Sequence, residues 1–230
     1  MKIPLSTRLE AACRFVKPGD RVADIGCDHG YLGIYLLKNQ IARFVYACDI
    51  NEGPLNAAVF NSEKYGVRDK MQFYLSDGVR NTPRDFDTLV CCGMGGDTMI
   101  SILEAAPWLK DGKYRLILQC QSKRPELRKY LSENGWWIQD ETVLKDGKFL
   151  YTVMEVVRGA GMELTAGGCH FSPALLKNPS KDLPAFYRWV VGGLKMIVEN
   201  QGEKAHPFKV QALEELTNLP EELNWLKEEN

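Results

Sequence analysis

The segment ADIGCDHGYL, Ala23 to Leu32, alternates Asp24, Gly26, Asp28 and Gly30 at the end of an apolar run. Glycine at Gly26 and Gly30 lets a backbone turn sharply and approach a ligand closely. A helix opening after such a turn offers free N–H groups to an anion, such as a ligand's carboxylate. The spacing is not GxGxxG, because Asp28 and His29 intrude. Asp24 and Asp28 would repel a pyrophosphate. They suit a ligand carrying an ammonium and a sulfonium, as S-adenosyl-L-methionine does. The plain alternative is a tight β–α turn with acidic capping residues.

Three further groups end later apolar runs. Asp49 lies about 20 residues beyond the glycine turn, where an acid accepts hydrogen bonds from ribose hydroxyls, and Asn51 can assist it. Asp77 and Gly78, in LSDGV, would put a carboxylate at the rim of an adenine, or simply form a turn. In CCGMGGDTM, Gly93, Met94, Gly95 and Gly96 let the chain pass close to a ligand, with a packing loop as the alternative. Asp97 there is either a helix cap or a catalytic carboxylate. Cys91 and Cys92 have no histidine close in sequence, so they read as buried thiols rather than nucleophiles. The four groups can meet only if their strands lie parallel and side by side, so that the strand ends share one edge.

The chain supplies such elements. Strands are expected at Arg21 to Cys27, Ala42 to Ile50, Met71 to Asp77, Asp87 to Cys92 and Tyr114 to Cys120. Helices alternate with them: from Tyr31 to about Asn39, from Pro54 to a cap at Gly66, from Gly96 to Leu109, and one opened by Pro125. The stretch from Trp136 to Arg158 reads as two strands joined by a turn at Asp146-Gly147. The expectation is a doubly wound α/β sheet completed by an antiparallel β-hairpin. The Gly-rich stretch GAGMELTAGG then breaks the pattern, which divides the chain into residues 1–158 and a tail, 159–230. From Asp182 the tail reads as a coiled-coil-like antiparallel helical hairpin. Phe186, Trp189, Val190, Leu194 and Ile197 mark one helix, and Leu213, Leu216, Leu223 and Leu226 the other.

Composition narrows the class. A net charge of −1 argues for a local rather than global basic surface if nucleic acid is bound. The seven cysteines are an odd number and form no CxxC pair, which suits a reducing, cytoplasmic setting. No metal site is expected, since the three histidines stand far apart. No run is long and apolar enough for a membrane span, and MKIPLSTRLE lacks the apolar core of a signal peptide.

LSTRLEAA, ADIGCDHGYL, DINEGPLNAA, DGV, CGMGG and LILQ together resemble the bacterial TrmK family of tRNA adenine-N1 methyltransferases. The resemblance covers roughly residues 1–157 and extends to FSPALLK and the helical pair of the tail. It implies a Rossmann-like class I methyltransferase sheet with a helical-hairpin domain, S-adenosyl-L-methionine as cofactor, and methylation of N1 of adenine 22 in tRNA. By motif, Asp24, Gly26, Asp28, His29, Asp49, Asn51, Asp77, Gly78 and Gly93 to Gly96 would line the cofactor and target-base pocket, and Arg8 would face it. Cys120 departs from the pattern, which has Pro after LILQ, and this bears on the loop after the fifth strand. The polar-Pro-Pro-aromatic motif of many amino-group methyltransferases is absent.

Adenine N1 has a lone pair, so its methylation needs alignment more than activation. The methylated ring is cationic, and Asp28, Asp77 or Asp97 could stabilise it. The target base must leave its stack; Tyr31 is a candidate to receive it, or a core residue. Lys123, Arg124, Arg128 and Lys129 form the candidate RNA-binding surface, or a solvated helix face. The tail helices serve as an RNA grip or a dimer contact. Two other classes fit the same motifs: a methyltransferase of proteins or small molecules, told apart by salt-sensitive tRNA binding, and a non-catalytic RNA-binding module, told apart by failure to bind the cofactor.

Overall fold

Seven strands pair in the order β3-β2-β1-β4-β5-β7-β6. The computed structural model describes residues 2–159 and 163–228. Helix α1 (Thr7–Cys13) precedes β1 (Asp20–Ile25), α2 (Tyr31–Lys38), β2 (Ala42–Asp49), α3 (Glu52–Lys64), β3 (Met71–Leu75), β4 (Thr88–Gly95), α4 (Gly96–Glu104), β5 (Arg115–Ser122) and α5 (Arg124–Glu133). β1 to β5 are parallel, and β7 (Phe149–Arg158) runs antiparallel to both β5 and β6 (Trp136–Asp146). The expected sheet with its closing hairpin is therefore present.

Strand alternation divides the core between the two faces. Ala23, Ile25, Leu89, Leu116 and Leu118 pack on one side, with α4, α5 and Trp136. Val22, Val45, Val90 and Ile117 pack on the other, with α1 and α2. Burial on both faces explains why these strands read as apolar runs. Strand order reverses between β1 and β4, which opens a crevice at the carboxyl edge.

Several boundaries differ from the sequence pattern. β4 continues through Gly95, with Met94 and Gly95 paired to β5 across two register shifts, the first of them at Gly93. α4 stops at Glu104, not Leu109: Pro107 disfavours a helical Ala106, and a 3-10 turn, Pro107–Asp111, follows. α1 carries no strong periodic signal and was not among the expected elements.

The tail holds α6 (Ala166–His170), a 3-10 turn Pro173–Leu176, α7 (Leu183–Gln201), α8 (Pro207–Thr217) and a 3-10 segment Glu221–Lys227. α7 and α8 are antiparallel, and the Tyr187 hydroxyl donates to the Leu216 carbonyl at 2.6 Å. The second helix is shorter than its leucines suggested, because Pro220 ends the pattern and Leu223 and Leu226 fall in the 3-10 segment. Trp189, expected in the hairpin core, is 56% exposed. Val143 of β6 shares the tail's core with Phe171, Leu175, Leu183 and Phe186. Within the Gly-rich break, residues 160–162 lie outside the described residues.

Candidate functional site

The turn from β1 to α2 holds Gly26, Asp28 and Gly30 at φ of 71°, 50° and 72°. Only glycine adopts that region freely, so Asp28 is held there by its neighbours. Gly26 and Cys27 donate backbone N–H bonds to the Cys48 carbonyl at 2.8 and 2.9 Å. The Asp28 amide donates to Asp49 Oδ2 at 3.1 Å, and the Asn51 amide to Asp49 Oδ1 at 2.9 Å. Asp49 thus ties the turn after β1 to the cap of α3 and keeps further lone pairs for a ligand. A Cβ on Gly26 would sit 2.3 Å from Met94 Cε, and one on Gly30 2.9 Å from the Ala58 Cβ.

Arg8, Asp24, Gly26, Asp28, His29, Tyr31, Gly93 and Met94 line one cleft of about 260 Å³. Leu9, Cys27, Leu32 and Cys92 complete its wall; none of them is a site residue in the sequence reading, which takes Cys92 as a buried thiol. Asp24 is buried, and its Oδ2 has no hydrogen-bond partner among the described residues. Burial raises its carboxyl to about 7; the Gly33 amide opposes this, and the Asp49 and Asp28 charges add to it. A buried acid with an open lone pair is a natural seat for a ligand's cation.

Arg8, on α1, lines the same cleft. Its Nη1 donates to Gln119 Oε1 at 2.8 Å, and its guanidinium lies 5.9 Å from the centre of the Tyr151 ring. Gly93 makes room for it: a Cβ there would be 3.2 Å from Arg8 Nη1. Gln119 and Tyr151 are thus positioning residues the sequence reading missed, although a glutamine inside the apolar run LILQC was a visible signal. His29 Nε2 is 3.5 Å from Asp28 Oδ1, and the His29 and Tyr31 ring centres are 6.0 Å apart. Tyr31 also meets Tyr65 edge-on. Acid, arginine and glycine walls suit an amino acid-bearing sulfonium nucleoside, with Asp24 for a cation and Arg8 for a carboxylate.

Other candidates stand outside this lining. Asp77 is exposed and pairs with Arg80 at 3.2 Å, while Gly78 packs on Ile102. Gly95 faces Ser122, and Asp97 pairs with Lys123. Of the three catalytic carboxylates considered, Asp28 alone lines the cleft. Burial pushes the Cys91 thiol up to about 12 and raises that of Cys92, which fits packing rather than nucleophilic roles.

The basic cluster does not form one RNA-facing surface. Arg128 is fully buried, bonded to Glu141 Oε1 at 2.6 Å and to the carbonyls of Cys169 and His170 at 3.0 and 3.3 Å. It clamps α5 to β6 and α6, so its assignment to RNA is corrected. Lys129 is exposed and pairs with Glu133 at 3.8 Å. Lys123 faces Asp97, and Arg124 lies over Phe186 and Trp189. Cys120, the departure from the family pattern, is buried in β5, its thiol 2.8 Å from the Ser122 carbonyl. No cluster with metal-ligand potential and no helix long and apolar enough to cross a membrane occurs among the described residues.

A methyltransferase domain model matches residues 5–154. The tRNA (adenine(22)-N(1))-methyltransferase of Bacillus subtilis is 30% identical over 179 residues, covering 77% of this chain and 75% of that protein. The crystal structure of the B. subtilis m1A22 tRNA methyltransferase TrmK superposes with a TM-score of 0.79 at 28% identity, covering 98% of each chain. A Streptococcus pneumoniae protein solved in complex with S-adenosyl-L-methionine gives 0.81 at 30% identity, covering 92% of this chain and 99% of that one.

Proposed function

The chain belongs to the methyltransferase domain family and, within it, to the tRNA (adenine-N1)-methyltransferases; from that premise we propose that it methylates N1 of adenine 22 in tRNA, in the cytoplasm. The observation that carries the reading is the cleft at the β1–β4 crevice, whose lining combines a buried carboxylate oxygen unpartnered among the described residues, an arginine and two glycines.

S-adenosyl-L-methionine supplies a methyl group on a sulfonium leaving group. Asp24 would hold cationic charge of the cofactor, Arg8 its carboxylate, and Asp49 the ribose hydroxyls. The turn at Gly26, tied to β2 through Cys48, keeps these groups rigid. N1 attacks with its own lone pair, so the chain's task is to align the base and exclude water. Asp28, at the mouth of the turn, is best placed to stabilise the cationic product ring. N1 lies on the pairing edge, so the adenine enters the cleft unpaired.

The purified chain should transfer labelled methyl groups from S-adenosyl-L-methionine to tRNA transcripts, and lose that transfer when adenine 22 is replaced. Labelling indifferent to the replacement would overturn the positional assignment.

A further inference from the structure

A groove of about 430 Å³ lies between the loop after β5 and one face of α7, lined in part by Gln121, Arg124, Phe186, Trp189 and Gly193. Trp189 is 56% exposed, although Phe186, one helical turn before it, is buried. The Arg124 guanidinium lies 4.8 Å from the Trp189 ring centre and 5.5 Å from that of Phe186. Lys123 and Arg128 beside it are matched by Asp97 and Glu141, whereas Arg124 has no carboxylate partner among the described residues and donates to the Leu150 carbonyl at 3.4 Å. The groove therefore presents an exposed indole, stacked with Phe186, that carries over its ring a planar cation with no carboxylate partner among the described residues.

Gly193 adds an independent sign. Glycine weakens a helix interior, yet apart from the helix's own neighbouring backbone no described atom lies within 4 Å of where its Cβ would be. Internal packing does not explain a glycine there, any more than at the equally open Gly192 beside it; at Gly193 the open space belongs to the groove. The groove also borders the cofactor cleft, since Gln121 Nε2 is 3.6 Å from the position of a Cβ on Gly93.

We propose that this groove receives a nucleobase of the substrate tRNA next to the one methylated, stacked on Trp189, with Arg124 matching its phosphate. This inference rests on the tRNA reading above. Base-on-aromatic stacking tolerates any base, and an arginine beside it supplies the charge a phosphate needs. A second copy of the chain fits less well. The large apolar side chains exposed on α7 are Trp189 and Met196, set apart by open glycines and flanked by Arg188, Lys195 and Glu199. That is not the broad apolar centre of a stable dimer interface.

The test uses the full chain, S-adenosyl-L-methionine and an unmodified tRNA transcript. Trp189→Ala should raise the KM for tRNA about tenfold or more, and Trp189→Phe should retain most of the affinity. Gly193→Leu fills open space with a better helix former, so it should melt no lower than the parent chain and still raise the KM for tRNA. Cofactor affinity by calorimetry should not move in any of the three. If the parent chain methylates tRNA while Trp189→Ala and Gly193→Leu leave its KM unchanged, the groove proposal fails and the functional reading stands. A loss of dimer in sedimentation with an unchanged KM would make the groove an interface between copies and overturn the proposal. If the parent chain does not methylate tRNA at all, both readings fall together.

Discussion

Asp24 and Glu141 are both buried acids, one on β1 at the cofactor cleft and one on β6 beneath the tail. Each keeps one oxygen without a partner. Glu141 nevertheless has its charge matched by Arg128, at 2.6 Å in a fully buried pair. Asp24 forms no ion pair among the described residues, and burial is the largest influence on its carboxyl. The first arrangement is complete within the fold and holds elements together. The second is incomplete until something positively charged arrives. Burial of a charged group is thus no guide to function by itself; what separates a clamp from a site is whether the chain supplies the counter-charge.

The largest effect should come from the clamp. Arg128→Leu strands Glu141 in the interior, and losing one partner of a buried pair costs about 3–5 kcal/mol. Urea unfolding should show that loss, with most of it recovered when Glu141→Leu is added. A cost below about 1 kcal/mol would erase the distinction drawn between the two acids.

Asp24→Asn should act on ligand binding instead. Cofactor affinity should fall by about 1.5–3 kcal/mol, the worth of a hydrogen bond to a charged group. Stability of the unliganded chain should respond to pH in a defined sense. A carboxyl raised from 3.8 to about 7 on folding contributes stability that is present below the lower value and lost as pH rises through the higher one. The Asn variant escapes that loss, so its melting advantage over the parent chain should grow as pH rises from about 4 to about 7, hold above that, and vanish in acid. An advantage independent of pH would show that Asp24 is not held neutral in the fold.

The smallest effect belongs to Lys123, whose pairing with Asp97 is open to water. Lys123→Ala should leave the melting temperature where it was, and a clear drop would mean that this pair, too, is a clamp.

Most of the fold was legible because parallel strands buried on both faces are unbroken apolar runs, punctuated by glycine and proline. The cleft was legible for the same reason: Asp24, Gly26, Asp28 and Gly93 sit at strand ends, and strand ends of a doubly wound sheet converge. What escaped depended on distant partners. Arg128 lies among other cations on a helix that reads as solvated, and nothing near it in sequence announces Glu141 or the carbonyls of α6. Gly93 to Gly95 read as a loop because the pairing of Met94 and Gly95 with β5 is made by backbone across a bulge at Gly93, which leaves no side-chain pattern. Trp189 fell at a core spacing on α7, yet it is 56% exposed beside the buried Phe186.

The outermost strand of the sheet carries one more consequence. β6 is 11 residues long and lies at the end of the strand order, where its backbone would otherwise solicit another strand. The tail answers it with side chains: Asp182 accepts from the Lys145 amide at 3.0 Å, and Lys177 Nζ donates to the Gln139 carbonyl at 2.6 Å. At the opposite margin β3 spans only 5 residues, too short to be an effective template. The helical appendage therefore works as a selvage as well, keeping a woven sheet from unravelling into its neighbours at the concentrations at which a cell keeps its enzymes.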